Sequence, residues 1–168
     1  FHTYEMINTM FYFMAAFLTI SLTFCIDPFI EIWVGSGKLF NTISLACMMF
    51  LFFHGVVRRP QYILKDIFGL YKDLQIISIA EAIINLALSL VLVQTWGITG
   101  VLVASVVATL VTNFWYFPLL LYRKIFDKCL WLDMAKYFLT AAITIGVLTI
   151  SFLFYPSISS EGYIAWFL

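Results

Sequence analysis

The stretch LQIISIAEAIINLALSLVLV, residues Leu74–Val93, decides the fold class, because its 20 residues are enough to cross a bilayer as an α-helix. Its only charged residue is Glu81. At about 100° per residue, its polar side chains share roughly one third of the helix circumference. These side chains are Gln75, Ser78, Glu81, Asn85 and Ser89. The stretch therefore predicts a membrane-spanning helix with one polar face.

The composition of the whole chain agrees with this interpretation. Hydrophobic residues make up 64% and charged residues 11% of the 168 positions, against about 45–50% and about 25% in ordinary soluble domains. Mean hydropathy is +1.03. We therefore expect an integral membrane protein. The three cysteines stand at unrelated spacings, so we expect them to act as small apolar packing groups rather than metal ligands.

The sequence predicts an all-α, polytopic membrane protein with five complete transmembrane helices plus the start of a sixth. Each predicted span is long enough for a helix and lacks the alternating pattern of membrane strands. The spans are about 6–26, 39–57, 74–93, 98–122 and 134–154, with a truncated sixth at 163–168. Asp27-Pro28 predicts the end of the first helix.

The basic residues predict the orientation. Eight of the nine lie in the loops 58–73 and 123–133 or beside them. By the positive-inside rule these two loops are cytoplasmic, and so is the N-terminus of the chain. The expected location is the cell inner (plasma) membrane, in a multi-pass arrangement. Within the first of these loops, Gln61–Lys72 could form a short helix along the inner surface.

Spans three and four are expected to form an antiparallel hairpin. The turn contains the sequence GITG, whose glycines permit a tight reversal. Gly100, Ala104 and Ala108 recur every four residues and give the fourth span a smooth strip for close helix packing. By contrast, Asn8 and the threonines of the first span are expected to be helix-packing groups rather than ligands.

The polar face around Glu81 has two interpretations. A carboxylate deep in a spanning helix costs about 2.5–3.5 kcal/mol on insertion scales, so it usually marks a function. Glu81 lies seven residues from Leu74, about 10 Å from the inner side at 1.5 Å per residue. With Gln75, Ser78, Asn85 and Ser89, it could line a proton-, cation- or substrate-responsive path. The alternative is a hydrogen bond that only holds two helices together.

Arg58 and Arg59 directly follow the second span. Their guanidinium groups match the geometry of phosphate oxygens, so they are candidates for attracting phosphate or pyrophosphate. The alternative is a pair of topology-fixing cations that meet anionic lipid head groups.

Sequence signatures of catalysis are absent. The chain has no Walker A sequence, no HExxH, no GxSxG and no paired acidic loop motif. We therefore expect no catalytic residues, no metal, no cofactor and no enzymatic activity. We also expect no nucleic-acid partner.

Two segments together resemble a known family. PFIEIWVG (Pro28–Gly35) and EAIINLALSLVLVQTWGITGVLVASVVATL (Glu81–Leu110) are similar to the C-terminal half of bacterial Wzx-type polysaccharide flippases. These belong to the multidrug/oligosaccharidyl-lipid/polysaccharide exporter superfamily. Its E-x3-N-L helix followed by G-I-x-G-V matches the residues Glu81, Asn85, Leu86, Gly97, Ile98, Gly100 and Val101.

The resemblance implies a fold and a function. Residues 1–168 would be a fragment of the C-terminal lobe of a two-lobed transporter with 12–14 helices. The substrate would be an undecaprenyl-pyrophosphate-linked oligosaccharide, moved to the outer leaflet by alternating access for polysaccharide, O-antigen, lipopolysaccharide or capsule biosynthesis. Expected partners are this substrate, membrane lipids and polysaccharide polymerase or assembly proteins.

Three alternatives stay open. A cation-coupled multidrug exporter of the same superfamily would have an acidic, aromatic cavity. A non-transporting scaffold of polysaccharide assembly would tolerate leucine at Glu81 and Asn85. A membrane-embedded transferase would need a catalytic carboxylate or histidine elsewhere in its chain.

Overall fold

The computed structural model describes residues 2–34, 41–126 and 131–154. Within these ranges all regular structure is helical, which confirms the prediction of a helical chain. The elements are α1 (His2–Val34), α2 (Thr42–Val57), α3 (Arg59–Phe68), α4 (Tyr71–Trp96), α5 (Ile98–Val111), α6 (Asn113–Leu121), a π-helical turn (Tyr122–Phe126) and α7 (Trp131–Phe154).

In the described ranges, four helical segments are long and apolar enough to cross a membrane. They are Thr3–Ile26, Leu74–Trp96, Ile98–Ile125 and Asp133–Ile150. Helices α2 and α3 meet at a bend of 43° and would make a fifth span if they are counted as one. The predicted sixth span at 163–168 lies outside the described residues.

Two predicted boundaries differ from the structure. Helix α1 continues through Asp27-Pro28 to Val34, so the expected stop at this dipeptide is wrong. A proline removes one backbone donor from a helix, but it does not have to end it. The predicted span 98–122 is divided at Thr112, whose φ of −108° and ψ of −80° separate α5 from α6.

Helices α4 and α5 form the expected hairpin. Its turn is Gly97, whose φ of 58° lies in the region that favours glycine. The small residues Gly100, Ala104 and Ala108 are buried. A Cβ added to Gly100 would lie 2.6 Å from the carbonyl carbon of Leu92, so glycine permits this close approach. The large apolar side chains on the opposite face of α4 are exposed, as expected for contact with lipid: Ile76, Ile79, Ile83, Leu86 and Leu90.

The core consists of two apolar clusters. One apolar cluster joins α1, α2, α6 and α7. A second cluster, formed by Leu74, Phe117, Leu120 and Leu121, packs against Tyr62 and Leu64 of α3. Helix α3 replaces most of the predicted inner loop and is capped by Gly69, whose φ is 65°. Its other face exposes Ile63, Ile67 and Phe68. A helix is therefore present in the region where Gln61–Lys72 was predicted, but it begins at Arg59 and ends at Phe68.

Candidate functional site

The polar face of α4 turns toward α5 and α6. Thr109 Oγ1 donates a hydrogen bond to Glu81 Oε1 at 2.9 Å. Asn113 Nδ2 donates a short hydrogen bond to Glu81 Oε2. Both carboxylate oxygens of Glu81 therefore accept hydrogen bonds from neighbouring helices while the side chain stays half-buried.

The same interface continues one helical turn deeper. Asn85 Oδ1 accepts hydrogen bonds from Ser89 Oγ at 3.1 Å and from Ser105 Oγ at 3.3 Å. We call the hydrogen-bonded residues of this interface the polar seam: Glu81, Asn85, Ser89, Ser105, Thr109 and Asn113. Three of the five predicted path residues therefore lie in the polar seam: Glu81, Asn85 and Ser89.

The partners on α5 and α6 were not predicted. Ser105 and Thr109 on α5 and Asn113 at the start of α6 recur every four residues, a spacing that predicts a shared helical face. This spacing is visible in the sequence and could have identified them.

The two remaining path residues, Gln75 and Ser78, line a half-open pocket at the N-terminal end of α4. The pocket has a volume of about 280 Å³. Its other lining residues are Tyr62, Lys65, Tyr71, Leu74 and Phe117. Ser78 precedes Glu81 by three residues, so the pocket and the seam follow the same face of α4. We call this combined feature the α4 polar track.

The two predicted phosphate-attracting arginines have different environments. Arg59 is exposed. Arg58 is only 2% exposed, and its Nη1 lies 3.6 Å from Asp133 Oδ2. The same nitrogen donates to Gln61 Oε1 at 3.1 Å. In this conformation the charge of Arg58 is balanced inside the protein, whereas Arg59 is free to meet a surface anion.

Asp133 is the centre of a buried polar cluster that also contains Asn8, Tyr12, Arg58 and Gln61. The sequence predicted that Asp133 lies in a loop. It lies in the first turn of α7 with its side chain 1% exposed. Asn8 Nδ2 donates to its Oδ1 at 2.7 Å, and Gln61 Nε2 donates to its Oδ2 at 3.0 Å. Tyr12 OH lies 3.2 Å from Oδ1. These contacts make Asn8 the packing group that the sequence predicted.

A proline supplies one more partner for Arg58. Pro118 has no backbone N–H, so the carbonyl four residues earlier, that of Phe114, loses its usual helical donor. Arg58 Nη2 donates to this carbonyl oxygen at 3.3 Å. The guanidinium group also lies over the rings of Phe114 and Tyr137, at 5.7 Å and 5.2 Å. The cluster thus connects α1, α2, α3, α6 and α7.

The polar seam and the cluster around Asp133 offer hydrogen-bonding groups and charges. Across the residues that the structure describes, no group of three His, Cys, Asp or Glu side chains could hold a metal ion. A larger apolar pocket of about 380 Å³ is lined by α1, α2, α5, α6 and α7, with walls that include Phe50, Phe53 and Leu148. Its lining is almost wholly hydrocarbon and aromatic, so it offers packing rather than chemistry.

Comparisons of the chain with protein-family models, with curated proteins and with solved structures each found no match.

Proposed function

We propose that this chain is part of a polytopic membrane transporter that moves a lipid-linked oligosaccharide from the inner to the outer leaflet. The carrier lipid is undecaprenyl pyrophosphate, and the mechanism is alternating access. The observation that carries the proposal is the α4 polar track. It runs from a half-open pocket at the N-terminal end of α4 to the hydrogen-bonded Asn85 within the same apolar helix.

The physical argument starts from the cost of polar groups in lipid. A carboxylate and an amide on a spanning helix are retained where they face other helices or a water-filled cavity. Glu81 and Asn85 face α5 and α6, while the apolar side of α4 is exposed. A transported head group would exchange hydrogen bonds with the hydroxyl, amide and carboxylate groups of this seam, because sugars offer many donors and acceptors.

The motif pattern supports the substrate class. The E-x3-N-L helix and the following G-I-x-G-V turn coincide in the structure with α4, the turn at Gly97 and the start of α5. Their similarity to Wzx-type flippases motivates a second lobe, a central cavity and an inner-membrane location, with polysaccharide assembly proteins as partners. In this proposal the protein has no enzymatic role.

The test is a flipping assay with the full-length protein in proteoliposomes. The vesicles contain a fluorescent oligosaccharide linked to undecaprenyl pyrophosphate, and a membrane-impermeant reagent reports the fraction of sugar on the outside. We expect protein-dependent movement of this lipid between leaflets. A protein-free vesicle and a denatured-protein vesicle are the controls.

The alternatives give different results in the same vesicles. A cation-coupled multidrug exporter would move a fluorescent amphiphilic cation along a proton or sodium gradient and leave the lipid-linked sugar in place. A scaffold would move neither compound. Either result would contradict the proposed function.

A further inference from the structure

The pocket at the N-terminal end of α4 contains Lys65, whose ammonium group lies between two aromatic rings. Lys65 Nζ lies 5.7 Å from the centre of the Tyr62 ring and 5.4 Å from that of Tyr71. An ammonium group over aromatic faces is held by the ring quadrupoles. The side chain is 24% exposed. The two rings thus fix a flexible cation at the mouth of a pocket of about 280 Å³.

The opposite wall supplies neutral hydrogen-bonding groups. Gln75 and Ser78, one turn apart on α4, line the pocket with an amide and a hydroxyl, which are donors as well as acceptors. Leu74 and Phe117 supply an apolar part of the lining. One fixed cation, several donors and an apolar wall match an anion that is attached to a hydrocarbon chain.

The surrounding charges favour an anion over a cation. The tyrosine faces that would attract a cationic ligand already hold Lys65. Among the side chains that the structure describes, Lys65 pairs with the carboxylate of Asp66 at 3.3 Å. Asp66 is 58% exposed, so an incoming anion would compete with a weak, solvated pair. Deeper along α4, Glu81 already accepts hydrogen bonds from Thr109 and Asn113.

We propose that this pocket is a phosphate-binding site at the inner membrane surface, with Lys65 as its cation and Gln75 and Ser78 as its neutral donors. The proposal assigns phosphate recognition to Lys65 on α3 rather than to Arg58, whose guanidinium group is bound inside the protein. It deepens the proposed function and rests on it for the source of the phosphate, which would be the head of the lipid-linked substrate.

The test measures binding to the full-length protein purified in detergent. The probes are geranyl pyrophosphate, inorganic pyrophosphate and phosphatidylglycerol, the last supplied in nanodiscs of defined composition. Lys65→Gln removes the cation, Gln75→Leu and Ser78→Ala remove the donors, and Lys65→Arg keeps the charge. Lys72→Gln is the matched control, because Lys72 is an exposed cation of the same surface that does not line the pocket.

We expect Lys65→Gln to weaken the binding of geranyl pyrophosphate by about ten- to a hundredfold, which corresponds to one charge-assisted hydrogen bond. Lys72→Gln is expected to change it by less than about twofold, as befits a screened surface charge. Thermal unfolding of each variant checks that the fold is intact. Lys65→Arg separates loss of charge from loss of structure, because it should restore most of the affinity.

The three probes distinguish the sources of phosphate. Competition by phosphatidylglycerol, lost in Lys65→Gln, would assign the site to bilayer lipid and still support phosphate recognition. Equal weakening by Lys65→Gln and Lys72→Gln, or no binding of any probe, would overturn the proposal. If lipid-linked oligosaccharide is flipped without phosphate binding in this pocket, the pocket assignment fails and the proposed function stands. Phosphate binding in this pocket without flipping would support the pocket assignment and contradict the proposed function.

Discussion

The guanidinium group of Arg58 and the carboxylate of Asp133 form a buried ion pair, with 3.6 Å between Nη1 and Oδ2 and side chains that are 2% and 1% exposed. They are 75 residues apart in the sequence, so their contact fixes the end of α2 against the start of α7. Removal of a charge from water costs several kcal/mol, and the neighbouring hydrogen bonds from Asn8 and Gln61 offset part of that cost.

Asp133→Leu should lower the free energy of unfolding by about 3–5 kcal/mol, because it leaves Arg58 buried without its counter-charge. The measurement is thermal or chemical unfolding of the full-length protein in detergent. Asp66→Leu is the control, since this exposed acid pairs with Lys65 at the surface. Equal losses in the two variants would show that the buried pair has no special role.

Arg58→Met combined with Asp133→Leu should be more stable than Asp133→Leu alone, because the double variant contains no unpaired buried charge. The same unfolding measurements complete the double-mutant cycle. The recovery should be partial, since Asn8 and Gln61 lose their acceptor. Additive losses would mean that the two side chains act independently.

Gly100→Ala should destabilise the α4–α5 hairpin by about 1–3 kcal/mol, the usual range for overpacking. The added methyl would collide with the backbone of Leu92. Gly146→Ala is the matched control, because a Cβ there has no neighbour within 4 Å. In a helix interior this control should gain stability, by up to about 1 kcal/mol. A similar effect of both substitutions would contradict the close approach of α4 and α5.

Thr109→Val should cost about 0.6 kcal/mol of stability, the average for a hydrogen bond between membrane helices, because it removes one donor to Glu81. Unfolding of the purified protein measures this change. Thr95→Val is the control, since the exposed Thr95 hydroxyl bonds only within its own helix, to the Leu92 carbonyl. A loss of several kcal/mol would show that the seam is mainly a structural joint.

Single cysteines in a cysteine-free background should reveal the orientation. A cysteine at Lys72 should react with an impermeant maleimide from the cytoplasmic side, and one at Thr95 from the opposite side, because the basic loops are expected inside. Mass shifts after labelling of intact cells and of inverted vesicles provide the measurement. Labelling of both positions from one side would contradict a spanning α4.

The sequence was most informative where structure follows from local pattern. The hydrophobic length of α4, its polar face and the glycine turn at Gly97 depend on residues within a few helical turns of one another. The Gly100–Ala108 strip is equally local. These features agree with the structure because no distant part of the chain is needed to specify them.

The buried cluster depends instead on distant contacts. Local pattern predicts Asp133 to be a loop acid, because its partners Asn8 and Gln61 lie 125 and 72 residues away. It predicts Arg58 to be a surface cation for the same reason. The Phe114 carbonyl that Arg58 binds becomes available through Pro118 on the same helix, so the contact joins the end of α2 to α6 and cannot be predicted from the periodicity of either helix.

The most direct test of the transport path is the flipping of lipid-linked oligosaccharide by the full-length protein with Glu81→Gln. Gln94→Leu is the control, because this exposed residue of α4 lies beyond the seam. If the α4 polar track is the transport path, Glu81→Gln should slow flipping by about tenfold or more, with the fold unchanged. A normal flipping rate would contradict the proposed transport path.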